Sequence, residues 1–170
     1  DRVAAMTSSH FAGSERQYRF PLGYGGQRTP TAQWTVTGSG AALVTSQPGS
    51  ISIESATIGT VSDLGITDAN NMGAAMAPAA FQTIRTHLED THTTPNDYDL
   101  IVTGDLGTIG VEALMQLCRE AGISIGGKLT DCGNLIFDPI AQDVHAGGSG
   151  CGCSAVVLCS ELLGKLHSGK

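Results

Sequence analysis

The chain has 170 residues, with 9 Lys and Arg against 16 Asp and Glu, and therefore a formal net charge of -7 at pH 7. This length corresponds to about one domain, which can bury a core without disulfide bonds, and the acidic balance argues against a nucleic-acid groove. The apolar runs are too short for a transmembrane helix, and five irregularly spaced cysteines indicate reduced, intracellular thiols.

The first third of the chain is predicted to contain strands and one long loop. Residues 3–7 form a short apolar strand, and residues 11–32, rich in Gly, Pro and Arg, form an irregular loop of the kind that often serves function. Residues 34–44 are predicted as a strand interrupted by glycines. A turn at residues 47–49 leads to a further predicted strand over residues 51–61.

Beyond residue 70 the pattern favours alternating helices and strands. Pro78 is expected in the first turn of a helix that runs to about Asp90. Residues 100–102 are a short apolar run, typical of a strand buried on both faces. Thr108 is the expected N-cap of a helix that ends at Gly122.

The last part of the chain has weak periodicity over residues 123–149, including the apolar run 135–137, and then a helix over residues 151–166. The order β-α-β-α-(β)-α predicts an α/β layered fold.

A glycine-rich loop at residues 145–154, with the sequence HAGGSGCGCS, opens this last helix and is the strongest candidate site. Glycines allow a ligand to approach the backbone, and the N–H groups at a helix start favour an anion. Side chains of Ser149, Cys151, Cys153 and Ser154 would add contacts. The alternative is that these small residues let the helix pack tightly on the sheet, and the sequence leaves both interpretations open.

Established motifs fit this loop poorly. The pattern G-x-G-x-x-G fails because Cys153 stands at its last position, and the lysine of a phosphate-binding loop is absent. Cys151 and Cys153 are closer together than the C-x₂₋₄-C pairs of zinc sites, even with Asp143 and His145 nearby.

Asp105 is the second candidate, because it follows the predicted strand at residues 100–103. Strand carboxyl ends are where open α/β sheets present ligands. The alternative is that Asp105 stabilises the start of the next helix through its dipole. His10 and His145 are further possible acid–base groups.

Several segments together resemble the stage V sporulation protein AD family, and the resemblance extends over essentially all 170 residues. These segments are residues 7–11, 24–28, 33–38, 72–80, 99–107, 131–133 and 143–158.

The resemblance implies a thiolase-like fold, layered αβαβα. Residues 1–48 would be the end of the first half, with its last two strands and a long loop. Residues 49–170 would be the second β-α-β-α-β-α half without its final two strands. It also implies a piece of a longer protein that does not fold alone; the start at Asp1, without Met or a signal peptide, fits that expectation.

The function implied by the resemblance is binding of dipicolinic acid, or its calcium chelate, for uptake into the developing spore. The ligand would lie against Asp105, His145 and the loop residues Ser149, Gly150, Cys151, Gly152, Cys153 and Ser154. No catalytic residue, resident metal or cofactor is expected. The related acyl-transfer enzymes carry His in H-Q-A-N and Asn in G-N-T-S-A, whereas this chain has Gly-Asp-Leu-Gly at residues 104–107 and Gly-Cys-Gly-Cys-Ser at residues 150–154.

An alternative is an acyltransferase of the thiolase or ketoacyl-synthase type that uses a cysteine in the first half. Expected partners are other stage V sporulation proteins of a transport complex and, in the complete protein, a second copy; no nucleic acid is expected. The expected location is the forespore or spore, peripheral at the inner spore membrane.

Overall fold

The computed structural model describes residues 1–11 and 29–169. Within these residues it is a mixed α/β structure with six strands, of which the first three precede all the helices and the last three alternate with helices. The strands are β1 (Arg2–Ser9), β2 (Trp34–Thr35), β3 (Gly38–Thr45), β4 (Ile101–Thr103), β5 (Leu129–Asp131) and β6 (Gly148–Ser149). The helices are α1 (Met72–Thr91), α2 (Gly107–Glu120), α3 (Cys132–Leu135), α4 (Cys151–Val157) and α5 (Leu163–Ser168), with a 3₁₀ turn at Pro95–Asp97 and a π-helical turn at Leu158–Leu162.

The strands pair two by two. β1 and β3 form an antiparallel ribbon that runs from Arg2 opposite Thr45 to Ser9 opposite Gly38. β2 pairs with β6, and β4 with β5, both in parallel. The β4–α2–β5 unit places the carboxyl ends of β4 and β5 side by side, so that the loop carrying Asp105 begins next to Asp131, the last residue of β5.

Two apolar clusters hold these elements together. One joins α1 to α2, with Leu114 and Cys118 fully buried. Gly73 and Gly110 permit this contact, because a Cβ on Gly73 would lie 2.7 Å from the Gly110 nitrogen. The other cluster lies beneath α4 and includes Cys132 and Cys153. The small residues that are so frequent in the sequence thus allow close helix packing.

The prediction of a strand over residues 51–61 was wrong. Residues 52–68 have no regular secondary structure, and the apolar side chains of Ile58 and Val61 are 94% and 98% exposed. An alternating pattern forms a strand only where a neighbour completes its hydrogen bonds, and within residues 1–11 and 29–169 no strand pairs with this segment.

Three predicted element boundaries also need correction. Helix α1 begins six residues before Pro78, because Asn71 Oδ1 accepts a hydrogen bond from the Ala74 N–H at 3.2 Å and starts the helix there. Leu106, not Thr108, occupies the N-cap position of α2. The strand predicted over residues 34–44 is divided into β2 and β3, which pair with different strands.

Burial of β4 differs from the prediction as well, since Val102 is 37% exposed and the strand is therefore covered on one face only. The strand of the 123–149 region is β5, whereas the apolar run at residues 135–137 follows and ends α3.

Other predicted elements are confirmed: the strand at residues 3–7, the end of α2 before Gly122 and a helical stretch from Cys151 onward. Most of the predicted 11–32 loop lies outside the described residues. No helix in the described part of the chain has the length and apolar character needed to cross a bilayer.

Candidate functional site

Asp105 meets the glycine-rich loop in the folded chain. Asp105 lies in the connection between β4 and α2, and its Oδ2 accepts a hydrogen bond from the Gly150 N–H at 2.9 Å. The Ser149 hydroxyl donates to the same oxygen at 3.3 Å. Two candidate segments that lie about 45 residues apart in the sequence are therefore joined through a carboxylate.

Gln33, the residue directly before β2, is hydrogen-bonded to both segments. Its Nε2 donates to the Asp105 carbonyl at 2.8 Å and to the Gly148 carbonyl at 3.0 Å, and the residue is only 5% exposed. Sequence reasoning missed this role, since Gln33 was noted only within the 33–38 segment of the family resemblance. Residue type and spacing gave no sign that its amide bridges two distant loops.

Asp131 was also missed, although it is 1% exposed. Its Oδ2 accepts from the Leu106 N–H at 2.9 Å and from the Thr103 hydroxyl at 2.7 Å, while its Oδ1 accepts from the Gly107 N–H at 3.0 Å. A buried carboxylate with three donors is satisfied as an anion. The sequence offered only an acidic residue two positions after Leu129, in a region of weak periodicity.

Gly150 and Gly152 are both required by the local geometry. Gly150 has φ 105°, a value that favours glycine. A Cβ on Gly152 would lie 2.5 Å from the Gly38 carbonyl oxygen and 2.6 Å from Ser9 Oγ. The prediction that small residues let the last helix pack tightly is confirmed at this position.

Ser9 joins the end of β1 to the start of α4. Its hydroxyl donates to the Val36 carbonyl at 2.6 Å and accepts from the Gly152 N–H at 2.8 Å. The N–H groups of Gly150 and Gly152 are therefore bonded to protein oxygens. A ligand at this loop would meet side chains and the adjoining surface, and that the loop holds a ligand stays a prediction.

The cysteines of the loop have different environments. Cys151 is exposed, whereas Cys153 and Cys132 are buried in the cluster beneath α4. Burial, followed by the charges of nearby thiol and carboxylate groups, raises the pKa of Cys153 to about 12. Burial and the carboxylates of Asp131 and Asp105 raise the pKa of Cys132 to about 11. Both thiols are protonated near neutral pH, so neither has the thiolate form that acts as a nucleophile.

His145 contacts a neighbouring residue of the chain. Its Nε2 lies 3.0 Å from Asp143 Oδ1, and its backbone has a left-handed conformation with φ 49°. Of the eight predicted ligand-binding residues, Ser154 alone is among the described residues that line the cleft next to Asp105; Asp105, His145 and residues 149–153 are not.

That cleft has a volume of about 490 Å³ and runs between the β1–β3 ribbon, the end of β4 and α4. Gly104 and Ser154, the neighbours of the Asp105 and Cys153 positions, line it side by side: a Cβ on Gly104 would lie 3.6 Å from Ser154 Cβ. Small or apolar side chains form most of the remaining surface, among them Ala5, Ala42 and Leu158.

The site so defined belongs to a mixed α/β protein in which two loops at strand ends meet a helix start beside an open cleft. The family model for stage V sporulation protein AD (SpoVAD) matches residues 1–170. Stage V sporulation protein AD of Bacillus subtilis (strain 168) is 54% identical over 169 residues, which cover 99% of this chain and 50% of that protein.

The chain therefore belongs to the stage V sporulation protein AD family, as its segments indicated. It spans about half the length of the curated relative it matches. Membership makes it a sporulation protein and fits a spore-related location.

Proposed function

We propose that this chain forms part of a protein that binds dipicolinic acid, as the free acid or its calcium chelate, for uptake into the developing spore, and that the binding is not catalytic. The observation that carries the proposal is the hydrogen bond between Asp105 and Gly150, because it assembles the two candidate segments beside one cleft. A volume of about 490 Å³ lies within the range of about 300–1,000 Å³ for small-molecule pockets.

The chemistry of the cleft supports binding of a flat aromatic acid. Gly104 and Ala155 offer small surfaces against which an aromatic ring can lie, and Ser154 offers a hydroxyl to a ligand carboxylate. Asp105, by contrast, would repel a free dianion, as would the net charge of -7. The calcium chelate avoids this conflict, since calcium prefers oxygen ligands and takes six to eight of them.

A calcium ion that is already chelated would need few ligands from the protein. Within residues 1–11 and 29–169, no group of three or more His, Cys, Asp and Glu side chains is arranged to hold a metal ion. Asp105 would add one oxygen to those that dipicolinate itself supplies. The metal would thus be part of the ligand.

The same geometry supports ligand binding rather than acyl transfer. An acyltransferase needs hydrogen-bond donors aimed at a developing oxyanion. Here the Gly150 N–H is bonded to Asp105, and the carboxylate brings negative charge to the place where negative charge would develop. The buried thiols of Cys132 and Cys153 are protonated near neutral pH and supply no nucleophile.

Calorimetry on the purified protein carrying this chain tests the proposal, with dipicolinate added alone and together with calcium. Asp105→Asn keeps the shape and an acceptor for Gly150 but removes the charge. We expect it to weaken binding of the calcium chelate about tenfold or more, in line with the loss of a charged interaction.

Asp143→Asn is the matched control, because it removes the same charge from a carboxylate that is 78% exposed and paired with His145. It should leave the affinity unchanged. Absence of binding by either form of dipicolinate, or equal loss from both variants, would overturn the proposal.

We further propose the thiolase-like layering, peripheral placement at the inner spore membrane, and association with other stage V sporulation proteins and a second copy of the complete protein. Exposed apolar side chains on the ribbon support protein partners, since Met6 is 75% and Leu43 is 65% exposed. Crosslinking and mass spectrometry in sporulating cells would test this association, and recovery of the protein free of other sporulation proteins would argue against it.

A further inference from the structure

The connection between β4 and α2 carries Asp105 but is held by another carboxylate. Asp131, at the end of β5, accepts the N–H groups of Leu106 and Gly107, the two residues that directly follow Asp105. The hydroxyl of Thr103, two residues before Asp105, donates to Asp131 as well. One buried side chain therefore fixes this connection on both sides of Asp105.

Besides the bonds to Asp131, the connection has few hydrogen bonds within its own backbone, and its Leu106 side chain is buried in the apolar cluster of α1 and α2. The connection is short, Gly104 and Gly107 lie on either side of Asp105, and Gly107 has φ 67°. Glycines give a loop many accessible conformations, so a single path requires specific hydrogen bonds. Besides Asp131, the Gln33 amide holds the Asp105 carbonyl, and Ala146 accepts from the Thr108 N–H.

We infer that Asp131 is a positioning residue, which holds the Asp105 carboxylate where it accepts from the Gly150 N–H, beside the cleft that Gly104 and Ser154 line. The inference deepens the proposed function and, in its ligand-binding part, rests on it. Asp131 lies behind the loop and acts on the ligand site through Asp105. Its charge is also suited to the task, because only a carboxylate accepts from both backbone N–H groups and the hydroxyl at once.

Asp131→Asn tests the inference with little change in volume. The asparagine side chain has an NH₂ group in place of one carboxylate oxygen. This NH₂ group would face an N–H or hydroxyl group that is itself a hydrogen-bond donor. The connection should leave its path, and the Gly150 N–H should lose its partner although Asp105 and Gly150 are unchanged. We expect the amide hydrogen of Gly150 to exchange about tenfold faster relative to that of Cys118 in the core of α2.

Leu114→Ala is the control for a merely structural effect. Leu114 is fully buried between α1 and α2, so its truncation destabilises the fold without touching the carboxylate. It should accelerate exchange at Cys118 at least as much as at Gly150. Should Asp131→Asn fail to fold, Thr103→Val removes only the hydroxyl donor and should give a smaller relative rise at Gly150, of roughly threefold.

A measurement of ligand binding distinguishes this inference from the proposed function. In a double-mutant cycle with calcium and dipicolinate, Asp131→Asn should weaken binding in the presence of Asp105 and have little further effect in Asp105→Asn. An unchanged Gly150-to-Cys118 exchange ratio would overturn the positioning role. A raised ratio in a protein that binds no dipicolinate would support the positioning role and overturn the proposed function.

Discussion

The loops around Asp105 and the segment at residues 52–68 both have patterned sequences, yet only the loops are tied into the structure. Asp131, Gln33 and Ser9 bind the loops through hydrogen bonds that reach backbone groups far away in the sequence. The 52–68 segment has a hydrogen bond between Thr57 and His87 at 2.8 Å, but Ile58 and Val61 remain exposed. The difference shows that a loop can be fixed by side chains that donate to or accept from its backbone, whereas a strand depends on a neighbouring strand.

The largest expected effect comes from a truncation in the core compared with one in the exposed segment. Leu114→Ala should lower the free energy of unfolding by about 3 kcal/mol, since it leaves a cavity where the side chain is fully buried. Ile58→Ala removes a side chain that is 94% exposed and should change the free energy of unfolding by about 0.5 kcal/mol or less. Chemical denaturation of both variants measures the contrast, and equal losses would show that the 52–68 segment is packed in solution.

A second experiment breaks the contact that joins α4 to the ribbon. Gly152→Val should lower the free energy of unfolding by about 2 kcal/mol or more, because its side chain would collide with the Gly38 carbonyl and with Ser9. Gly164→Ala is the control: outside its chain neighbours and its own helix backbone, no described atom lies within 4 Å of the added methyl group, and the helix gains roughly 0.5–1 kcal/mol. A Gly152→Val protein as stable as the parent would disprove the tight contact.

A third prediction concerns pH, whose effect through the buried thiols is absent near neutrality and appears only in alkaline solution. The pKa of Cys132 is raised to about 11 and that of Cys153 to about 12, against an ordinary value near 9.0. Above about pH 9 the thiols of the unfolded chain ionise while those of the folded chain stay protonated, so stability should fall as pH rises toward 11–12 and be unaffected below 9. Denaturation at a series of pH values measures this fall, which should be shallower in Cys153→Ala.

Thiol labelling near pH 8 provides an independent check on the same cysteines. The exposed Cys151 and Cys159 should react quickly with an aromatic disulfide reagent, while Cys153 should react only as fast as the protein opens. Fast labelling of Cys153 in the folded protein would contradict its burial beneath α4.

Short-range signals in the sequence were sufficient for several elements. The helical spacing of Val111, Leu114 and Cys118 predicted the buried face of α2, because a helix satisfies its own backbone and needs only one apolar stripe. The glycines near residue 150 predicted a loop at a helix start, and the family segments predicted membership correctly. These features depend on residues close together in the chain.

Only the tertiary structure determined the contacts between segments that are distant in the sequence. No spacing rule connects Asp105 to Gly150 or Asp131 to Leu106, since each pair is brought together by the pairing of β4 with β5 and of β2 with β6. The exposure of the 52–68 segment follows from the same cause. Its alternation is a property of the chain, but a strand also needs hydrogen-bond partners on another strand, and local sequence does not specify where those partners lie.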